Sequence, residues 1–170
     1  MVKNNFKRIY ISKTAKQTRT IGATLAKEIL KINKKNKKAF VLALEGDLGG
    51  GKTTFLQGLA RGLKIKEKIL SPTFVIFKRF QIPQGGTRKS LKRQPSSGCK
   101  FLCHLDCYRI KKAKEILEVG FKKMITDSSN IVAIEWADHI SKFVPSESLA
   151  LRFYFIDKHT RKIKLFGPGL

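Results

Sequence analysis

Residues 46–54, GDLGGGKTT, constrain this chain more than any other stretch. They fit the pattern G-x-x-x-x-G-K-[ST], with Gly46, Gly51, Lys52 and Thr53 at the set positions. Glycine is needed because the backbone must fold round an anion with its N–H groups pointing inward. Upstream, residues 39–44 (AFVLAL) form a short apolar run, the signature of a strand buried on both faces. Downstream, Leu56, Leu59, Ala60 and Leu63 recur at helical spacing. Strand, glycine loop and helix in that order predict a triphosphate cradle. Asp47, Leu48, Gly49, Gly50, Gly51, Lys52, Thr53 and Thr54 are its predicted lining, with ATP as the ligand. Lys52 would neutralise the β- and γ-phosphates and assist their cleavage, and the Thr53 hydroxyl would ligate Mg²⁺.

A chain of 170 residues is expected to fold as a single domain, residues 1–170, around one core. No apolar run approaches the roughly 20 residues needed to cross a membrane, so no membrane association is expected. Lys3, Lys7 and Arg8 make a basic start, but no long apolar stretch follows, which argues against a secretory signal. The fold is expected to begin near Phe6, leaving no segment for a cleavable organellar leader. Cys99, Cys103 and Cys107, with His104 beside them, match neither zinc nor ferredoxin spacing. They read as small buried hydrophobes in a cytoplasmic protein.

Lysine and arginine number 36 against 12 acids, a net charge of +24. Basic runs at residues 34–38, 64–68, 88–93 and 111–114 would hold RNA or another polyanion in a salt-sensitive manner. A lysine-rich composition bias explains the same numbers, and the charge alone leaves both explanations open.

The rest of the chain reads as alternating strands and helices. Residues 6–11 suggest an edge strand. Thr14 and Gln17 suggest a capping box opening a helix with Ile21, Leu25, Ile29 and Ile32 on one face. Residues 34–38 read as a solvated turn, and the phosphate-loop helix should end near Gly62. A turn at Ser71-Pro72 leads into a strand. Residues 81–100, rich in Gln, Gly, Ser, Pro and basic side chains, read as a flexible basic insertion. Strands follow at 101–106 and 130–135, flanking short helices within 115–125 that break at Gly120. Strict alternation at Leu149, Leu151, Phe153 and Phe155, then a polar turn at 157–160, predicts a terminal hairpin reaching Phe166. The expected class is α/β: a P-loop NTPase-like three-layer sandwich, with a mostly parallel sheet and an antiparallel C-terminal section.

A phosphate loop needs a carboxylate at a neighbouring strand end to hold the metal or its waters. Glu135 ends one apolar run and Asp106 ends another. One would serve the metal, and the other would orient or deprotonate the attacking water. His104 reads as a neutral structural histidine, Thr73 as either a nucleotide-sensing hydroxyl or the start of a strand, and Trp136 as a core residue or a fluorescent reporter of the site.

These pieces in sequence, GDLGGGKTTF, then SPTF at 71–74, HLDCYR at 104–109, Glu118 with Gly120, and EW at 135–136, resemble the TsaE (YjeE) family. The likeness runs from about Phe6 to Phe166. It implies a compact P-loop ATPase of tRNA threonylcarbamoyladenosine biosynthesis, acting with TsaD- and TsaB-like partners on the adenosine beside the anticodon. It further implies Thr53 and Glu135 as Mg²⁺ ligands, Asp106 as required for hydrolysis, Thr73 in a nucleotide-responsive segment, and Thr18 and Arg161 near the base. Contact with tRNA would be indirect through the partners, or direct through the basic surface. The chain departs from the family's pattern in a longer, more basic stretch at 83–100 and in Cys107, where leucine is common.

Two other functions fit the loop. A small-molecule kinase would use Arg88 and Arg93 as a phosphate-clamping lid and would phosphorylate an added acceptor. A nucleotide-switched RNA-binding module would hold tRNA without turnover.

Overall fold

The computed structural model describes residues 6–32, 37–70, 76–84 and 98–167. Its elements run β1 (Phe6–Ser12), α1 (Ala15–Ile32), β2 (Phe40–Gly46), α2 (Lys52–Gly62), β3 (Phe77–Gln81), β4 (Phe101–Asp106), α3 (Phe121–Thr126), β5 (Asn130–Glu135), β6 (Leu149–Phe155) and β7 (Arg161–Phe166). Short 3₁₀ turns at Ala113–Leu117 and Ala137–Ile140 precede α3 and follow β5.

All seven strands join one sheet in the order β1-β7-β6-β2-β5-β4-β3. The four central strands, β6, β2, β5 and β4, are mutually parallel. The terminal hairpin β6–β7 is antiparallel, and β1 adds an antiparallel edge to it. The expected mostly parallel sheet with an antiparallel C-terminal section is therefore present. An antiparallel β3 at the far edge extends the pattern.

Period-two alternation explains the layers. Leu42 and Leu44 on β2, with Leu102, Ile131 and Ala133, face α1 and α2, where Leu25, Ile29, Phe55 and Leu59 complete one core. Val41 and Ala43, with Leu105, Val132 and Ile134, face the opposite way and pack on Phe121, Ile116 and Ile140. Strands buried on both faces are apolar throughout, which is why these runs carry no polar alternation.

Thr14 caps α1 by accepting the Gln17 N–H at 3.1 Å. The Gln17 carboxamide oxygen accepts from Lys13 N–H at 2.7 Å, one residue before the partner a capping box would use. Gly120, at φ +76, breaks the 113–126 segment where a break was expected. The base of the 81–100 insertion is pinned: Ile82 N–H donates to Lys100 O at 2.8 Å, and the Gln84 amide to Cys99 O at 2.9 Å. Ser71, Pro72, Thr73, Phe74, Arg88, Arg93 and most of the basic run at 34–38 lie outside the described residues.

The C-terminal ends of β2, β5 and β4 converge on the start of α2. In open parallel sheets, ligands bind outside those ends.

Candidate functional site

β2 ends at Gly46, whose φ of +112 suits glycine, and a Cβ there would collide with the Phe153 carbonyl oxygen. Gly51, at φ +98, is the N-cap of α2. The first intrahelical bond runs from Phe55 N–H to Gly51 O at 2.8 Å. The N–H groups before it, on Lys52, Thr53 and Thr54, therefore have no helical acceptor of their own. They point out of the positive end of the helix dipole, a ready anion site. The loop is anchored to β6. Asp47 N–H donates to Phe153 O at 3.2 Å, and the Asp47 carboxylate accepts the Phe155 N–H at 3.0 Å. Gly50 N–H closes the turn on Asp47 O at 3.0 Å, while Leu48 projects into solvent, 75% exposed.

Lys52 is folded back over this loop. Its ammonium donates to Gly46 O at 2.7 Å and Asp47 O at 2.9 Å, and sits 3.7 Å from the centroid of the Trp136 ring. Burial lowers its pKa, and the surrounding acids Glu135, Asp138, Asp106 and Asp47 pull the other way.

Glu135 is buried at the end of β5, on the face that carries Ile131 and Ala133 toward α2. The Thr53 hydroxyl donates to its two carboxylate oxygens, at 3.1 and 2.9 Å. His104 Nε2 lies 3.0 Å from the first of them, which makes Nε2 the donor to the carboxylate. His104 is itself 1% exposed, and its Nδ1 has no partner. Asp106 is the in-register neighbour of Glu135, at the end of β4. One of its oxygens accepts the Tyr108 N–H at 3.0 Å, and Cys107 N–H joins the two strand ends by donating to Glu135 O at 3.0 Å.

Two residues have partners that their sequence context does not show. Trp136 is half-buried at the rim of the second core. β5 stops at Glu135, and a left-handed φ of 57 turns the indole toward Lys52, Tyr108 and His139. His104 is structural in the sense of being buried, yet its one hydrogen bond is to Glu135. The spacing H-x-D on a strand was the available signal, since residues two apart share a face.

Beside the loop, a cavity of about 280 Å³ brings together Thr18, Gly49, Gly51, Thr54, Lys13 and Arg161. Arg161 Nε donates to Gly49 O at 2.8 Å, and its terminal nitrogen to Asp157 O and Thr160 O. Thr73 lies outside the described residues. Cys99, Cys103 and Cys107 are buried free thiols, and no cluster of three metal-binding side chains occurs among the described residues. Burial pushes the Cys103 thiol up to about 11 and the Cys107 thiol up to about 12.

The donor set at the head of α2 suits Mg²⁺. It offers hard oxygen from one hydroxyl and one carboxylate, with no sulfur, beside helix-terminal amides and a lysine that would meet phosphates.

A glycine loop between a central parallel strand and its helix, in a sheet whose strands β2, β5 and β4 are covered on both sides, defines an α/β protein of P-loop NTPase-like fold. The chain belongs to the TsaE family: the family model described as "Threonylcarbamoyl adenosine biosynthesis protein TsaE" matches residues 12–163. The tRNA threonylcarbamoyladenosine biosynthesis protein TsaE of Bacillus subtilis is 34% identical over 152 residues, covering 89% of this chain and 85% of that one. The protein of the same name from Nostoc sp. is 34% identical over 128 residues, 74% of this chain and 68% of its own. The one from Treponema pallidum is 24% identical over 153 residues, 90% and 96%. The crystal structure of Bacillus subtilis YdiB superposes with a TM-score of 0.62 at 25% identity, covering 96% of this chain and 88% of that one. No described helix is long and apolar enough to cross a membrane.

Proposed function

We propose that this chain is a cytoplasmic, Mg²⁺-dependent ATPase subunit that supports threonylcarbamoyladenosine formation on tRNA, working with TsaD- and TsaB-like partners. The observation that carries this is the hydrogen-bonded pair of half-buried Thr53 and buried Glu135 at the N-terminus of α2, with Lys52 beside it. The amides at the head of α2 and the Lys52 ammonium would grip the phosphates, the lysine exchanging two backbone carbonyls for phosphate oxygens. Thr53 and Glu135 would hold Mg²⁺, which when bound supplies charge neutralisation at the β- and γ-phosphates. Asp106, one register position across from Glu135, would orient the attacking water and take its proton. Thr18 and Arg161 would border the base, from the cavity next to the loop. Membership in a tRNA-modification family supports hydrolysis in the service of that pathway over phosphorylation of a small molecule.

The test has two parts. Calorimetry should detect Mg²⁺-dependent uptake of ATP or ADP, and its absence both alone and with the partners would sink the proposal. ADP release should then be measured with and without the TsaD- and TsaB-like proteins and tRNA. Release of ADP with free phosphate and no phosphorylated acceptor separates an ATPase from a kinase.

A further inference from the structure

The second core layer stops at β2. Its members come from β2, β4, β5 and the segments that cover them, and none comes from β1, β6 or β7. One face of these strands is buried in the core shared with α1 and α2, through Ile163, Leu165, Leu151 and Phe153, the last packing on Phe55 of α2. On their other face no residue joins either core: Ala150 is buried, Tyr154, Lys162 and Lys164 are half-buried, and Ile9, Ile11 and Arg152 are exposed. The register defines what lies there. One row across the strands reads Ile9, Lys164, Arg152 and Glu45, and the next reads Ile11, Lys162 and Tyr154.

Charge on this face is unbalanced. Lys164 stands directly opposite Arg152, and like charges in that relation destabilise a sheet. Lys162 is two residues from Lys164 on the same face, about 6.8 Å along the strand. The one carboxylate in these rows is Glu45, which meets Arg152 Nε at 3.1 Å. Rings alternate with the cations. The Lys162 and Lys164 ammoniums lie 5.8 and 5.4 Å from the centroid of Tyr154, and the Arg152 guanidinium lies 5.3 Å from that of Phe166. Ile9 and Ile11, 48% and 55% exposed, extend an apolar strip along the edge.

We propose that this sheet face, built from Ile9, Ile11, Arg152, Tyr154, Lys162 and Lys164, binds a single-stranded segment of RNA. Unpaired bases stack on aromatic side chains of an open sheet while lysine and arginine meet the phosphates. An anionic strand also relieves the crowding of three cations. Membership in a tRNA-modification family makes RNA the partner of matching chemistry. The Glu45–Arg152 pair lies one register step before Gly46–Phe153, so a bound strand would run up to the phosphate loop. The inference does not depend on ATP hydrolysis.

The experiment is fluorescence anisotropy with a labelled tRNA anticodon-arm oligoribonucleotide, at about 150 mM salt because binding of this kind is salt-sensitive. The paired substitution Lys162→Glu, Lys164→Glu is compared with the equally charged pair Lys111→Glu, Lys114→Glu, at exposed sites elsewhere. We expect the sheet pair to weaken binding at least tenfold more than the control pair, and Tyr154→Ser to weaken it about fivefold through lost stacking. Lys162→Gln, Lys164→Gln serves if charge reversal impairs folding. Equal losses in the two pairs would overturn the proposal, because net charge alone would then account for binding. Displacement of RNA by polyglutamate at equal charge concentration, with Tyr154→Ser neutral, would also overturn it and identify the face as a dock for an acidic protein. ATP hydrolysis by the same variants is expected to be unchanged, which keeps this result separate from the fate of the ATPase proposal.

Discussion

The Lys52 ammonium lies on the face of Trp136, 3.7 Å from the ring centroid, while donating to Gly46 O and Asp47 O. A cation so placed gains on the order of 1–2 kcal/mol from the ring, so the lysine has a defined resting position. Trp136 is the chain's one tryptophan. Its emission therefore reports where Lys52 is. Lys52→Met is expected to change the emission of the nucleotide-free protein, and ATP with Mg²⁺ to change that of the native chain. Hydrolysis in Lys52→Met should fall to background with the circular dichroism spectrum unaltered.

Among the described residues the Glu135 carboxylate has three hydrogen-bond contacts, and all of them orient it. Glu135→Gln keeps the shape and removes the charge a cation needs. Nucleotide affinity measured by calorimetry in Mg²⁺ should drop tenfold or more, whereas affinity measured in EDTA should change little. An equal drop in both conditions would assign Glu135 to the phosphate cradle and not to the metal.

Asp106 has a different part in the proposed chemistry. Asp106→Asn should leave Mg²⁺–nucleotide affinity within about twofold and slow hydrolysis on the order of 10²–10⁴, the usual loss for a missing acid–base group. Unchanged turnover would remove Asp106 from the mechanism.

His104 links the site to the fold. His104→Leu leaves a buried carboxylate short of a donor, an expected loss of about 1–3 kcal/mol in urea unfolding. His104→Asn, which restores an N–H donor, should recover part of that loss. Equal stability of the leucine variant and the native chain would mean that this hydrogen bond contributes nothing to the fold.

The thiols predict a pH dependence. Folding raises the pKa of Cys103 to about 11 and of Cys107 to about 12, from about 9 when exposed, because burial disfavours the thiolate. Between these values the folded chain holds protons that the unfolded chain has released, so stability falls as pH rises. It is at its full value below about pH 9. Lys52 works in the opposite sense, since its lowered pKa means that folding favours loss of its proton. The urea midpoint should decline from pH 9 toward pH 11, and by less in Cys103→Ala. Iodoacetamide at pH 8.5 should label these thiols only after unfolding.

Local order explains what could be read from residue order. The loop at 46–54 is one contiguous segment whose glycine conformations and helix-start amides follow from neighbouring residues. The apolar runs of β2 and β5 are legible because a strand covered on both sides excludes polar residues. A strand-end carboxylate is legible for the same reason, so Glu135 and Asp106 stood out. The role of His104 is not legible in the sequence, because it lies in a contact with Glu135, 31 positions away. Trp136 packs on the second core, but its approach to Lys52 is not legible in the sequence, because a single left-handed residue after β5 directs the indole and nothing in its immediate composition announces that turn.

By itself, then, the amino-acid sequence determined the element order, the glycine loop and the acids at the strand ends beside it, since each depends on neighbouring residues and period. Tertiary structure alone decided that β1, β6 and β7 add nothing to the second core, that Lys52 rests on Trp136, and that Thr53, His104 and Glu135 meet. Those relations are set by strand order and register across distant parts of the chain, where packing of the whole sheet chooses among partners that local propensity leaves equivalent.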